Sequence, residues 1–577
     1  MSRRRRVPVV LVATALGVSL LSVPRATVAS AATTATDANA SYVVLAAQGS
    51  GLDAARAAVV SAGGTVVREN AAIGALEVTS TKADFATSAG ASSAIVGVVR
   101  DRVIGRAPKS DPATADVAAT MTAVNQASAR NGDGDGRDGD NKAEPFANLQ
   151  WDMKMIGATV DGSYDEQRGR RGVLVGIIDT GIDGNHPDIA PNFSRKLSRN
   201  FVTDLPAIDG PCEHPSCVDP ADEDDDGHGT HVGGTVASPI NGIGIAGVAP
   251  NVTLVNVRAG QDSGFFFLGP TVNALTYAGD AGIDVVNMSF FTDPWLFNCL
   301  ANPADSPTEQ AEQRTIITAM QRALNYAHRK GVTLVAALGN EHEDLGNPLL
   351  DVISPDFPGG TEHPRTIDNA TCLSLPNEGD HVISVSSVGP SGKKADYSNH
   401  GLEQNDVSAP GGFFRDFIGT DLNRRAENLV LGPYPRNVAL ANGDADPITG
   451  ASLSEPFVVA QCKGVGPQNC AYWQWIQGTS MASPHAAGVA ALIVSEFGHS
   501  AGEGRGITMD PDKVDRILRA SATDVACPSP VITYAAEGRP AEYDAPCVGD
   551  AARNSIYGDG IVNALHAVKF HDGHEHD

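Results

Sequence analysis

Beyond residue 31 this 577-residue chain has no apolar run long enough to span a bilayer, which excludes a helical membrane protein as the exported form. Cysteine is absent before Pro211, and no Cys-x-x-Cys or flanking histidine pair accompanies the eight that follow, so a Cys/His metal cluster has no support. There is no His-Glu-x-x-His stretch, although His228 and His231 stand three apart. Positive charge is also scarce. Lys and Arg number 42 against 68 Asp and Glu, for a formal charge of −26. Such a surface repels nucleic acid and anionic membranes, and neither is expected as a partner.

What is present begins with a processing signal. Arg3 to Arg6, the apolar stretch Val7 to Val23 and the small-residue site Ala29-Ser30-Ala31 read as a cleaved export peptide over residues 1–31, predicting a secreted, extracellular protein. The arginine run leaves the twin-arginine route open. Removing this segment takes away five arginines and no acids, so the remainder is more acidic still. An even number of cysteines in an exported chain predicts disulfides. Close spacing favours Cys212–Cys217 and Cys462–Cys470, and elimination then leaves Cys527–Cys547 and Cys299–Cys372.

Residues 32–106 contain a small α/β pattern, strand–helix–two strands–helix–strand, with strands at 42–45, 65–67, 75–78 and 95–99 and helices at 54–62 and 82–90. A polar linker, 107–149, carries the run Asn131 to Asp140, whose spaced aspartates lack the Glu that would close a calcium loop. From residue 150 to 569 apolar strands (173–178, 252–257, 284–288, 332–337, 382–388) alternate with helical patterns (231–237, 272–281, 309–330, 480–496). That alternation predicts a doubly wound, mostly parallel sheet, with functional residues beyond the carboxyl ends of its strands. Residues 570–577 read as a polar tail.

Three motifs carry chemistry. Asp179 follows the apolar run Val173–Ile178. His228 lies in Asp226-Gly-His-Gly-Thr-His231. Ser480 lies in Gly478-Thr-Ser-Met-Ala-Ser-Pro-His485, entering an apolar helix, with Pro484 expected in its first turn. A serine hydroxyl is a poor nucleophile; it needs an imidazole to take its proton and a buried carboxylate to orient that imidazole. The Asp, His, Ser order argues against an α/β-hydrolase, as does the lack of a Gly-x-Ser-x-Gly elbow at Ser480. His231 is expected as a packed structural residue. The acidic run Asp222 to Asp226 reads as a solvated stretch, with a second ion as the alternative.

These motifs, with Ala336-Ala-Leu-Gly-Asn340, resemble the subtilisin-like serine proteases, the subtilases. The resemblance implies a serine endopeptidase acting on proteins or peptides through an acyl-enzyme, with Asp179, His228 and Ser480 as its triad and Asn340 as oxyanion donor. It further implies that the N-terminal α/β unit is a ferredoxin-like pro-domain, chaperone and intramolecular inhibitor, although any small α/β module would show that pattern. Self-cleavage is then expected between Arg106 and Gln150, releasing a monomer. A structural Ca2+ is implied at Asp188, Pro239, Asn241, Ile243 and Ile245. Substrate would run past Ser263 and Gly264 on one side, Ser289, Phe290 and Phe291 on another, and Ala337 and Gly339. Bulk at Phe291 and Thr292 predicts small or medium P1 side chains, with an apolar P4 wall from Phe265 and Phe266. Insertions at 293–312 and 412–475 are expected to add loops near the active face. A non-enzymatic binding protein on a degenerate scaffold remains the alternative.

Overall fold

Valine-rich runs whose side chains are buried on one or both faces set the two largest sheets among the described residues. The computed structural model describes residues 40–49, 51–106, 144–292, 294–348, 350–355, 361–500, 502 and 506–571. The expected export peptide and the last six residues of the tail lie outside this set. The N-terminal unit runs β1 (Ala40–Ala46), α1 (Leu52–Ser61), β2 (Thr65–Asn70), β3 (Ala75–Ser80), α2 (Phe85–Gly90) and β4 (Ile95–Arg100). Its strands pair antiparallel in the order β2-β3-β1-β4, the ferredoxin-like arrangement. Val44, Leu76, Val59 and Phe85 fill its small core.

The large sheet has seven strands: β6 (Leu174–Ile178), β7 (Arg199–Asn200), β8 (Thr253–Arg258), β10 (Val285–Met288), β12 (Thr333–Ala337), β13 (Val382–Val388) and β14 (Val407–Pro410). Their order is β14-β13-β12-β10-β6-β8-β7, and every pairing is parallel. Parallel sheets need both faces covered. On one face lie α4 (His228–Ala237), α8 (Thr479–Phe497) and α9 (Pro511–Ala520); on the other lie α5 (Leu268–Ala281) and α6 (Pro307–Arg329). Helix α8 is buried from Thr479 to Ser495, which explains why its sequence is apolar all round. A capping box between Ser306 and Glu309 starts α6, so the end of the 293–312 insertion is helical.

The N-terminal unit docks on α5 and α6. Asn70 donates to Asn273 (2.9 Å) and Thr276 (2.8 Å), and Gly97 lies so close to Thr315 that a Cβ would come 2.2 Å from its hydroxyl. Beyond β4 the chain continues as β5 (Val103–Arg106), which pairs antiparallel with β9 (Phe265–Phe267) on one side and β11 (Phe291–Thr292) on the other.

Two boundaries differ from expectation. Residues 144–149, read as linker, belong to the large unit: Glu144 is buried, and Phe146 packs edge-on against Trp473. The 412–475 insertion forms an antiparallel sheet, β15 (Val430–Tyr434), β16 (Val458–Cys462) and β17 (Cys470–Ile476), in the order β15-β17-β16, with helix α7 (Arg436–Ala441). It packs on α4. All four expected disulfides are present: Cys212–Cys217, Cys299–Cys372, Cys462–Cys470 and Cys527–Cys547. Among the described residues no helix is long and apolar enough to cross a membrane.

Candidate active site

Asp179 follows β6 and is fully buried. Its Oδ1 accepts from the Thr180 amide and lies 2.8 Å from His228 Nδ1. This approach requires glycine at 229, because a Cβ there would sit 2.1 Å from the Gly181 carbonyl oxygen and 3.0 Å from Asp179 Cβ. The bond fixes Nδ1 as the protonated nitrogen. His228 Nε2 is buried with no hydrogen-bond partner, so a lone pair is held ready in a dry setting. Burial opposes the imidazolium, but the charges of Asp179, Asp226 and Asp224 outweigh it and carry His228 above its ordinary value.

The acidic run before His228 is not a solvated stretch. Asp224 is buried and accepts from the amides of Gly227 (2.9 Å) and Thr230 (2.9 Å) and from the hydroxyls of Thr230 (2.6 Å) and Thr180 (3.2 Å), tying the start of α4 to β6. Asp226 Oδ1 accepts from the His228 amide, and burial pushes its pKa up to about 7. His231 is packed as expected: its Nε2 lies 3.1 Å from the Val430 carbonyl and 3.2 Å from that of Gln474. It thereby binds α4 to the inserted sheet, and burial drives its pKa down to about 3.

Ser480 begins α8 and is buried. Its hydroxyl does not reach His228; it donates to the Ser289 carbonyl at 2.9 Å. Pro484 falls in the second turn of α8, not the first. Lacking an N–H, it leaves the Ser480 carbonyl without its helical donor, and the Ser289 hydroxyl supplies one at 2.9 Å. Ser289 also contacts Ser483 and accepts from Asn287. Its side chain is thus spent on the helix, and only its main chain is left for a substrate.

Asn340 follows β12. Its Oδ1 accepts from the Thr479 amide (2.9 Å) and hydroxyl (3.0 Å), which turns Nδ2 outward. A Cβ on Gly478 would lie 3.7 Å from that Nδ2 and 3.8 Å from Ser480 Cβ, so the Asn340 amide and Ser480 stand side by side. Sequence reasoning missed Asn399. Fully buried, it accepts from the amides of Glu341 (3.1 Å) and Glu343 (2.8 Å) and donates to the Leu338 carbonyl (3.1 Å) and the Glu341 carboxylate (2.7 Å). It clamps both sides of Asn340. Gly339, at φ +110°, passes so close that a Cβ would be 2.3 Å from Asn399 Nδ2. No local pattern marks Asn399 in the sequence, since its partners lie 56 residues or more away.

The expected pocket residues divide. Ala337 ends β12 and is buried, and Gly264 forms a tight turn at φ +81°. Ser263 donates its amide to Asp209. Phe290 and Phe266 are both fully buried, with β5 paired against β9, and their rings stack with centroids 4.2 Å apart. Both belong to the core cluster that α5 and α6 form against the large sheet. Phe265 is half-buried; the Phe291 side chain lies outside what the structure describes.

At the expected calcium loop Asp188 is buried, and its Oδ2 accepts from the Ile245 amide and the Trp473 indole, both at 3.0 Å. Asn241 turns its amide nitrogen toward Asp188, because its Oδ1 is taken by the Ile243 amide. The expected Asn241 oxygen is therefore not presented. Pro239 and the buried Ile245 stay on the same loop. A second carboxylate, Glu144, joins the site: it accepts from the Gly242 amide, and its Oε2 is buried without a partner. Burial, and then the Glu144 charge, push Asp188 well up. Two buried carboxylates with an orphaned oxygen fit a hard cation.

The model of the subtilase family matches residues 170–560. Subtilisin DY of Bacillus licheniformis is 29% identical over 325 residues, 56% of this chain and 77% of its own. Thermitase of Thermoactinomyces vulgaris is 28% identical over 326 residues, 56% of this chain and 76% of its own. In fold, the chain is similar to the epidermin leader peptide processing serine protease of Staphylococcus aureus, with a TM-score of 0.60 at 20% identity, covering 92% of this chain and 98% of that one. With the family model spanning most of its length, the chain belongs to the subtilase family and is a serine endopeptidase of the subtilisin type.

Proposed function

We propose that Ser480, His228 and Asp179 form the catalytic triad of a secreted, self-processing endopeptidase. The observation that carries this reading is the buried 2.8 Å Asp179–His228 bond, which leaves Nε2 as a free base. For catalysis the Ser480 hydroxyl must leave the Ser289 carbonyl and turn to that base. Ser480 Oγ then bonds to the substrate carbonyl carbon while its proton passes to Nε2, and the electron pair of the C=O bond moves to oxygen. Asn340 Nδ2 and the Ser480 amide stabilise that oxyanion. Collapse breaks the C–N bond, with Nε2 returning the proton to the leaving amine. Water repeats the sequence to free Ser480.

The position of β5 supports autoinhibition. It fills the space between β9 and β11, the two segments expected to hold substrate backbone. The N-terminal unit is then a pro-domain whose last strand occupies the substrate cleft, and the maturation cut falls between Arg106 and Glu144. The buried Glu144 and Asp188 would hold a structural Ca2+, which supplies counter-charge to both carboxylates and takes no part in catalysis.

A fluorophosphonate probe tests the activated serine: it should label Ser480 in the mature protein and leave Ser480→Ala unlabelled. The same variant should accumulate as the uncut chain after export. Equal processing of variant and wild type in a host without other proteases would reject self-cleavage.

A further inference from the structure

The site lies at one end of the large sheet; a second cluster of ligating groups lies at the other. His328 is in the last turn of α6, His381 immediately precedes β13, and Asp512 is in the first turn of α9. His328 and His381 stack with centroids 3.7 Å apart and planes 6° apart, and His328 Nε2 is 3.0 Å from Asp512 Oδ1. One ligand atom from each lies within 4.8 Å of the others. His381 is held at φ +65°, a region a non-glycine residue occupies at some cost.

We propose that His328, His381 and Asp512 form a surface site for a divalent transition metal, of which zinc is the type. Two neutral imidazoles and a carboxylate suit zinc, with bonds of about 2.0–2.2 Å and a fourth position left to water. The lone pair of an imidazole lies in its ring plane, so binding one metal requires the exposed His381 ring to turn out of its stack on His328. The C-terminal end of α6 favours a cation there. The adjacent Asp380 does not compete, because its carboxylate accepts from Asn325 at 2.9 Å. His328 and His381 stand before the amino ends of β12 and β13, with Asp512 bonded to His328, whereas Asp179 and Asn340 follow carboxyl ends. The metal therefore braces α6, α9 and the entry to β13 without touching the chemistry.

The test uses the full chain in a Ser480→Ala background, with His571→Gln, His574→Gln and His576→Gln so that the tail offers no imidazole. Zinc titration by calorimetry should show a site weakened at least tenfold by either His381→Ala or Asp512→Asn, both exposed positions. Saturating zinc should raise the melting temperature by about 2–5 °C in the parent and by nothing in either variant. In the active chain, His381→Ala should hydrolyse peptide at the parental rate. Zinc affinity and melting shift unchanged by both substitutions would overturn the site, as would binding that vanishes with the tail histidines alone.

Discussion

The two halves of the active site are built differently. On the base side, Asp179, Asp224 and Asp226 close on α4 through short bonds, and His231 fastens the helix to the inserted sheet. On the nucleophile side, Ser480 is bonded to a backbone carbonyl, not to its base, and Asn340 is aimed by Thr479 and Asn399. In the proposed mechanism the base is preset by charge and the oxyanion donor by clamps, while the Ser480 hydroxyl must leave its carbonyl partner. A single hydroxyl rotation costs little, so holding everything else rigid places the reorganisation where it is smallest.

The largest effect should come from the rigid part of the nucleophile side. Asn340→Ala is expected to lower kcat by about 10²–10³ with KM nearly constant, since its bond strengthens only in the transition state. An unchanged kcat in a folded variant removes Asn340 from the mechanism. On the base side, α4 runs into the Asp188 loop. If Glu144 and Asp188 share an ion, calcium at about a hundred times its Kd adds about 2.7 kcal/mol of stability. Thermal unfolding with and without chelator should show that difference in the parent and lose it in Glu144→Gln; a melting curve indifferent to chelator, with no calcium in metal analysis, counts against the ion.

Ser289→Ala separates helix support from pocket lining. It leaves the Ser480 carbonyl without a donor, so stability should fall by about 1–3 kcal/mol and kcat with it, while KM stays close to wild type. A change confined to KM would return Ser289 to the substrate pocket. The smallest effect tests the preset charge. Asp226 helps to raise His228, and catalysis requires the neutral imidazole, so activity is lost as pH falls through the His228 pKa. Removing that charge lowers the pKa, and Asp226→Asn should move the acid limb of kcat/KM to lower pH. The shift is modest because Asp226, itself pushed up to about 7, titrates alongside His228. An acid limb that stays put or moves up would show that Asp226 only caps the helix.

Much of this was legible in the chain. The five long parallel strands, the four main helices and the Asp179, His228, Ser480 and Asn340 motifs are local patterns, because apolar periodicity and glycine-rich turns act over a few residues. Strand β14 and the inserted sheet were not, since short strands acquire their identity from a neighbour far away in sequence. Only the tertiary structure decided that Phe266 and Phe290 stack in the core, that Asn241 turns its nitrogen inward, and that Ser289 replaces the donor Pro484 lacks. Each depends on which group arrives from a distant segment to satisfy a buried polar atom or fill a void. Residue type and spacing determine which chemistry is available; burial and hydrogen-bond completion determine where each side chain points.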